Sequence, residues 1–161
     1  MSEGGAAIQT RPKLSLGTIL VLVWLVLIWI QGVVIVKVIV EGIRGDPFNG
    51  WAIYGLNFAM TPIRLFLTGF AILALGATRW KLAPWFAAAA ILYNHPIAPN
   101  LENWVVSRFG IYPQPFVLNW RIALSVSALL SFAAAGYLVL SPRVRGIYAE
   151  RGFSIRPKAA A

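Results

Sequence analysis

Cysteine is absent from this sequence, and histidine occurs only once, at position 95. The chain therefore has no disulfide, thiolate nucleophile or cysteine metal site, and its redox compartment cannot be inferred. A metal site normally needs three or four ligands, and Glu102 is the only carboxylate near His95 in the sequence, so we expect no metal. A bis-histidine haem within the chain is excluded, although a haem shared with another subunit stays open. We expect no cofactor.

Charged residues are also scarce. They make up 12% of the chain, against about a quarter in soluble proteins, while 59% of the residues are hydrophobic and the mean hydropathy is +0.73. This balance predicts an all-α integral membrane protein that forms one compact domain. The net charge is +9, but the basic residues flank apolar runs instead of lining one helical face. They predict contact with anionic lipid headgroups and no binding to nucleic acid.

Sequence motifs of common enzymes and transporters are missing as well. The chain has no G-x-S-x-G elbow, phosphate loop or H-E-x-x-H. Ion-coupled transport usually places a carboxylate inside the membrane, and the nearest candidate, Glu41, lies past the end of an apolar run. The two halves of the chain show no inverted repeat. These absences favour a protein without enzymatic activity.

Four apolar runs are predicted to cross a bilayer as an up-and-down bundle. They cover about residues 16–37, 61–79, 82–98 and 119–141, after an N-terminal segment, 1–15, and before a basic tail, 142–161. The first run is too long for the core of a cleaved signal peptide. Thr61 and Pro62 have the residue types of an N-cap and a first helical residue, so the second span is predicted to begin there.

The third run is short. From Leu82 to Tyr93 it offers about 18 Å of helix, less than the hydrocarbon thickness of about 30 Å. It either crosses with its end at Asn94 and His95 below the surface, or turns back as a re-entrant hairpin. Glycine, proline and aromatic residues in 41–60, and the amphipathic pattern in 100–118, predict two further helices that lie in the outer interface.

The distribution of basic residues favours four crossings. If both termini are cytoplasmic, nine basic residues lie inside and five outside, in keeping with the positive-inside rule. Residues 79–81 must then lie inside, and the last span must enter from outside. The third run, which lies between them, therefore has to cross the bilayer. The nine inside residues are Arg11, Lys13, Arg79, Lys81, Arg143, Arg145, Arg151, Arg156 and Lys158.

In this arrangement one group of polar residues lies together at the outer mouth of the third span. Guanidinium and imidazole groups donate hydrogen bonds to oxygen, so the group is a candidate site for an anionic headgroup, a quinone-like ring or a small anion. The simpler interpretation, which we prefer, is that these residues end helices and meet interfacial water and lipid phosphate. They are Arg64, Tyr93, Asn94, His95, Asn119 and Arg121.

The last span carries a stripe of small residues, Ala123, Ser127, Ser131 and Ala135, at intervals of one helical turn. Small residues at this spacing allow helix backbones to approach closely. We therefore predict that the stripe packs against another span, from a partner subunit or a second copy of the chain.

The run AAILYNHPIAP carries a resemblance. It follows Arg64 and Trp80 and precedes Asn119 and Trp120. In this respect the chain resembles a group of small uncharacterised bacterial inner-membrane proteins with a short apolar helix ending in Phe-Asn-Pro-x-x-Pro and a downstream tryptophan. The resemblance implies a location in the bacterial inner membrane and a similar architecture, and it implies no activity.

Two functions stay open. The leading hypothesis is a non-enzymatic inner-membrane protein that serves as a small accessory or structural subunit of a membrane complex. The alternative is a small-ligand membrane protein, either a carrier or an enzyme acting on a lipid or quinone, that uses His95, Arg121 and Arg64. Few polar groups lie inside the apolar runs, which favours the first.

Overall fold

The computed structural model describes residues 13–109 and 117–149, with side chains omitted for 48–54, 102, 103, 105–107, 109 and 117–125. Within the described ranges the chain is helical and forms no strand, which confirms the all-α prediction. The helices are α1 (Leu16–Gly45), α2 (Pro47–Ala77), α3 (Ala83–Leu92), α4 (Ala98–Phe109), α5 (Val117–Leu140) and α6 (Pro142–Ile147), and a π-turn at Tyr93–Ile97 joins α3 to α4.

Among the described residues, two helices are long and apolar enough to cross a membrane, namely Leu16–Gly45 and the part of α2 from Gly55 to Ala77. Helix α1 begins where the Ser15 hydroxyl oxygen accepts a hydrogen bond from the Thr18 amide at 3.2 Å, which is ordinary N-capping. In α5 the stretch Val126–Leu140 is apolar but shorter.

The predicted loop and interfacial helix in 41–60 are wrong. Helix α1 continues to Gly45, and only Asp46 separates it from α2. The Asp46 amide donates a hydrogen bond to Gly42 O at 3.2 Å. Pro62 therefore lies inside α2 instead of starting a span. It supplies no N–H, while the neighbouring Thr61 hydroxyl donates to Asn57 O at 2.6 Å and adds a bond in the same turn.

Helices α1 and α2 form a long antiparallel hairpin with close contacts at two glycines. A Cβ on Gly32 would lie 2.9 Å from the Leu65 side chain, and one on Gly69 would lie 3.3 Å from Trp29 Nε1. Helix α2 then packs on α3, and α3 packs on α5. The core between them is built from small and branched residues: Leu25, Ala71, Leu75, Ala83, Ala87, Ile91, Ala135 and Leu138.

Several contacts bring four helix ends together. The Ser15 and Tyr137 hydroxyls lie 2.7 Å apart, which joins the start of α1 to the end of α5. The Tyr148 hydroxyl, just after α6, donates to Leu75 O at 2.6 Å near the end of α2. Since α3 begins a few residues later, α1, α2, α3 and α5 alternate in direction. We call this end the basic end, after Lys13, Arg79, Lys81, Arg143 and Arg145.

The small-residue stripe of α5 is used within the chain. Ser131 and Ala135 are buried, and the Ser131 hydroxyl donates to Ser127 O at 2.7 Å. Ala135 belongs to the core shared with α3, and the side chain of Ala123 lies outside the described residues. Ser131 and Ala135 are thus covered by this chain itself and are not accessible to a partner subunit.

A candidate polar site at the π-turn

The third helix does not end at Asn94 and His95. It passes through the π-turn into α4, so the chain is helical from Ala83 to Phe109. Pro96 lies inside the turn, and the Ala98 amide donates to Tyr93 O, five residues back. A π-turn takes up an additional residue in a helix and is often found at functional sites. The predicted helix end at Asn94 and His95 is therefore wrong, and the crossing of a membrane by this segment stays a prediction.

Asn94 ties the π-turn to α2. Its Nδ2 donates to the Thr68 hydroxyl at 2.9 Å and to Ala90 O at 2.8 Å. The buried Thr68 hydroxyl in turn donates to Arg64 O at 2.7 Å. This chain of hydrogen bonds fixes the rotation of the π-turn relative to α2.

His95 faces α1. Its ring meets the indole of Trp24 edge-on, with 5.8 Å between the ring centroids. Trp24 Nε1 and His95 Nε2 are both buried, and neither atom has a hydrogen-bond partner among the described residues. The Arg64 side chain is near enough for its charge to act on the imidazole. We call Trp24, Arg64, Thr68, Asn94 and His95 the π-turn cluster.

The cluster lies well inside the bundle. At 1.5 Å per residue, Trp24 is about 12 Å along α1 from the basic end, His95 about 18 Å along the third helix and Arg64 about 20 Å from the end of α2. A hydrocarbon layer is about 30 Å thick, so a layer that begins at the basic end has the cluster near its middle. In such a layer Arg64 would lie deeper than the single turn that its position after Pro62 predicts.

The sequence-predicted site residues separate into two sets. The structure brings Arg64, Asn94 and His95 together, and it places Tyr93 in the same turn with its hydroxyl 3.9 Å from Met60 Sδ. The side chains of Asn119 and Arg121 lie outside the described residues. Sequence reasoning missed Trp24 and Thr68. An indole in the middle of an apolar run was the available signal for Trp24, because its N–H needs an acceptor.

The chemistry of the cluster suits an oxygen-bearing ligand. Indole Nε1 is a hydrogen-bond donor only, imidazole Nε2 donates or accepts according to its tautomer, and the guanidinium is a cation. A carbonyl or an anionic oxygen complements these groups. Among the described residues no group of three histidine, aspartate or glutamate side chains gathers to hold a metal ion.

Comparison of the chain with protein-family models, with curated proteins and with solved structures finds no match. The class is therefore defined by the fold itself: the part of the chain that the structure describes is all-helical, with two helices capable of crossing a membrane and a polar cluster between its helices.

Proposed function

We propose that the protein is a bacterial inner-membrane protein with four spans, formed by α1, α2, the third helix with its π-turn, and α5, and that both termini are cytoplasmic. The alternating directions of these helices support this arrangement. The charges support its orientation, because the basic end has five basic side chains and, among the described residues, no carboxylate. The described carboxylates, Glu41 and Asp46, lie at the other end of α1.

Reporter fusions test the topology. Fusions at Lys81 and at the C-terminus should report cytoplasm, and a fusion at Asp46 should report periplasm. A periplasmic signal at Lys81 or the C-terminus, or a cytoplasmic one at Asp46, would contradict the proposal.

Of the two functions that the sequence leaves open, the geometry favours the small-ligand protein. We propose that the π-turn cluster binds the carbonyl oxygen of a membrane-soluble ligand such as a quinone-like ring. The observation that carries the proposal is the pair of buried nitrogens, Trp24 Nε1 and His95 Nε2, for which the described residues supply no partner. Burying a polar group without a hydrogen bond costs roughly 1–3 kcal/mol, and a ligand acceptor would remove that cost.

The surroundings of Trp24 favour a ligand that arrives from the lipid. Its neighbours on α1, Leu20, Val23 and Leu27, are exposed by 60%, 52% and 59%, so the cluster lies one layer of side chains from the outer surface of the bundle. A ligand dissolved in the hydrocarbon reaches such a position laterally, whereas a small hydrated anion must first lose its water.

Trp24→Phe removes one donor while keeping an aromatic ring, and Trp29→Phe, on the same helix, is the matched control. The purified full chain should be stabilised against thermal unfolding by a short-chain benzoquinone. We expect Trp24→Phe to lower the apparent affinity for the benzoquinone, obtained from this stabilisation, by about fivefold to tenfold, which corresponds to the loss of one hydrogen bond. Trp29→Phe should leave the affinity unchanged. Equal losses in both variants, or no stabilisation of the unmodified chain, would contradict the proposal.

The accessory-subunit function stays a second candidate, because one observation favours it. Helix α1 packs chiefly on α2, and few residues of its apolar stretch are buried within the chain. Its outer face would accept lipid or a span of another subunit. Substitution of Val34 by Trp on this exposed face should release a protein that copurifies in mild detergent, or dissociate a homo-oligomer, if the face binds a partner. Unchanged copurification and oligomeric state would leave lipid as its only neighbour.

A further inference from the structure

A groove opens at the basic end, away from the π-turn cluster. Its volume is about 480 Å³, within the range of small-molecule sites. One wall is the start of α3, with Pro84 and Trp85, and the other is the end of α5, from Leu138 to Leu140. Tyr148 closes one side, and Lys81 and Arg145 bring two positive charges to it. The groove therefore combines a cationic part with an apolar part.

The positive charge is not neutralised within the described residues. Neither Lys81 nor Arg145 forms a salt bridge there, because no described carboxylate lies at the basic end. Arg145 donates one hydrogen bond to Leu140 O at 3.1 Å, and a guanidinium has five N–H groups, so donors are left for a ligand. The Tyr148 hydroxyl already donates to Leu75 O and takes no part in anion binding.

The apolar walls distinguish between possible anions. Trp85 is 59% exposed and Leu140 is 67% exposed, and they flank the groove on the outer surface of the bundle. A free phosphate ion would use the two charges and gain nothing from these walls. A phospholipid would place its phosphate between Lys81 and Arg145 and lay the start of an acyl chain along Trp85 and Leu140.

We propose that this groove is a specific binding site for an anionic phospholipid, with Lys81 and Arg145 on the headgroup phosphate and Trp85 and Leu140 along the chain. A zwitterionic lipid carries its own ammonium group, which the two cations repel, so the site discriminates between headgroups. The inference rests on the proposed topology only in placing the basic end at headgroup depth. It is independent of the π-turn ligand.

The chain offers a matched pair of variants for the test. Arg145→Gln removes a charge at the groove, and Arg143→Gln removes the same charge from an exposed residue of α6 outside it. Native mass spectrometry of the delipidated full chain, with dioleoyl phosphatidylglycerol or dioleoyl phosphatidylcholine added, measures the bound fraction. We expect phosphatidylglycerol to bind preferentially, Lys81→Gln and Arg145→Gln to weaken it about tenfold or more, and Arg143→Gln to weaken it by a few-fold at most.

Three outcomes would overturn the proposal: equal losses for Arg143→Gln and Arg145→Gln, equal binding of the two lipids, or displacement of the lipid by millimolar inorganic phosphate. Equal losses in the two arginine variants would show that the lipid responds only to the overall charge. Displacement by phosphate would show that the groove binds small anions without using its apolar walls. Circular dichroism and a melting curve for each variant confirm that it is folded. Trp24→Phe should leave lipid binding unchanged, and reporter fusions report the topology separately, so the failure of one proposal is distinguishable from that of the others.

Discussion

At the scale of single residues, Gly17 is a position where the backbone of α1 approaches Tyr137 of α5 closely. A Cβ at Gly17 would lie 2.5 Å from the ring and hydroxyl of Tyr137, whose hydroxyl is held by Ser15. The ring therefore cannot move away without losing that bond. We expect Gly17→Ala to lower the free energy of unfolding by about 1–3 kcal/mol through overpacking, as measured by thermal or SDS unfolding.

Gly136 supplies the control for this prediction, because nothing lies within 4 Å of a Cβ built there. Gly136→Ala should be neutral or should stabilise the chain by about 0.5–1 kcal/mol, since alanine favours a helix. If the two variants had the same stability, the close approach of α1 to Tyr137 would be wrong.

Tyr148 is buried and lies beyond α5, outside the proposed spans. Burial raises the pKa of Tyr148 to about 12, and the nearby positive charge of Arg79 acts in the opposite direction. Because the pKa is above the unfolded value of 10.0, the protonated hydroxyl stabilises the folded state below pH 10. That contribution is lost as the pH rises from 10 to 12.

Tyr148→Phe should remove both this pH dependence and the hydrogen bond to Leu75 O. We expect a loss of about 1–2 kcal/mol at pH 8 and a smaller difference from the unmodified chain at pH 12. Unfolding measured across this range for both proteins checks the prediction, and subtraction removes the titration of the lysines. A difference that stays constant with pH would contradict it.

At the scale of helices, the bond between Asn94 and Thr68 connects the π-turn to α2. A double-mutant cycle with Asn94→Leu and Thr68→Val should give a coupling energy of about 0.5–1.7 kcal/mol, the range of hydrogen bonds between membrane helices. Thr78 is the control, because its hydroxyl donates to Ala74 O within its own turn, at the basic end. A cycle of Asn94→Leu with Thr78→Val should give a coupling near zero. Equal coupling energies in both cycles would exclude a direct hydrogen bond between Asn94 and Thr68.

Helix positions were predictable from the sequence, but their ends and neighbours were not. The apolar runs located the central parts of α1, α2 and α5. Gly42 and Pro62 predicted breaks that do not occur, whereas α1 does end at Gly45. A glycine or proline costs a helix only about 1–3 kcal/mol, and leaving many backbone groups unpaired in an apolar layer costs more.

The candidate site was predictable only in part, because the sequence indicated its residues but not the helix ends and contacts around them. Local signals identified Arg64, Asn94 and His95 as polar residues near apolar runs. They placed these residues near helix ends, because the second span was expected to begin at Pro62 and the third run to end at Asn94 and His95. The contact between Trp24 and His95 depends on how α1 is rotated against the third helix. Such rotation is set by long-range packing, for which a single sequence carries no local signal.

At the scale of the whole molecule, the two ends differ in charge, and this difference should control orientation in the membrane. The basic end has Lys13, Lys81, Arg143 and Arg145 in addition to Arg79, whose guanidinium lies 5.8 Å from the centroid of the Tyr148 ring. The opposite end has a Lys37–Glu41 pair at 3.8 Å, with both side chains largely exposed. Arg44 adds a positive charge and Asp46 a negative charge at that end, so the basic side chains there are offset by carboxylates. At the basic end no described carboxylate offsets the positive charge.

A variant with less positive charge at the basic end and more at the opposite end tests whether charge sets the orientation. Neutralising Lys13, Lys81, Arg143 and Arg145 to Gln and changing Asp46 to Lys leaves Arg79 and its contact with Tyr148 in place. Because short, positively charged loops stay on the cytoplasmic side, a reporter at position 46 should shift from a periplasmic to a mixed signal. The Lys37→Gln variant, which changes only an exposed ion pair, should keep the periplasmic signal. An unchanged signal in the exchanged variant would show that these residues do not set the orientation, and the case for cytoplasmic termini would then lose its electrostatic basis.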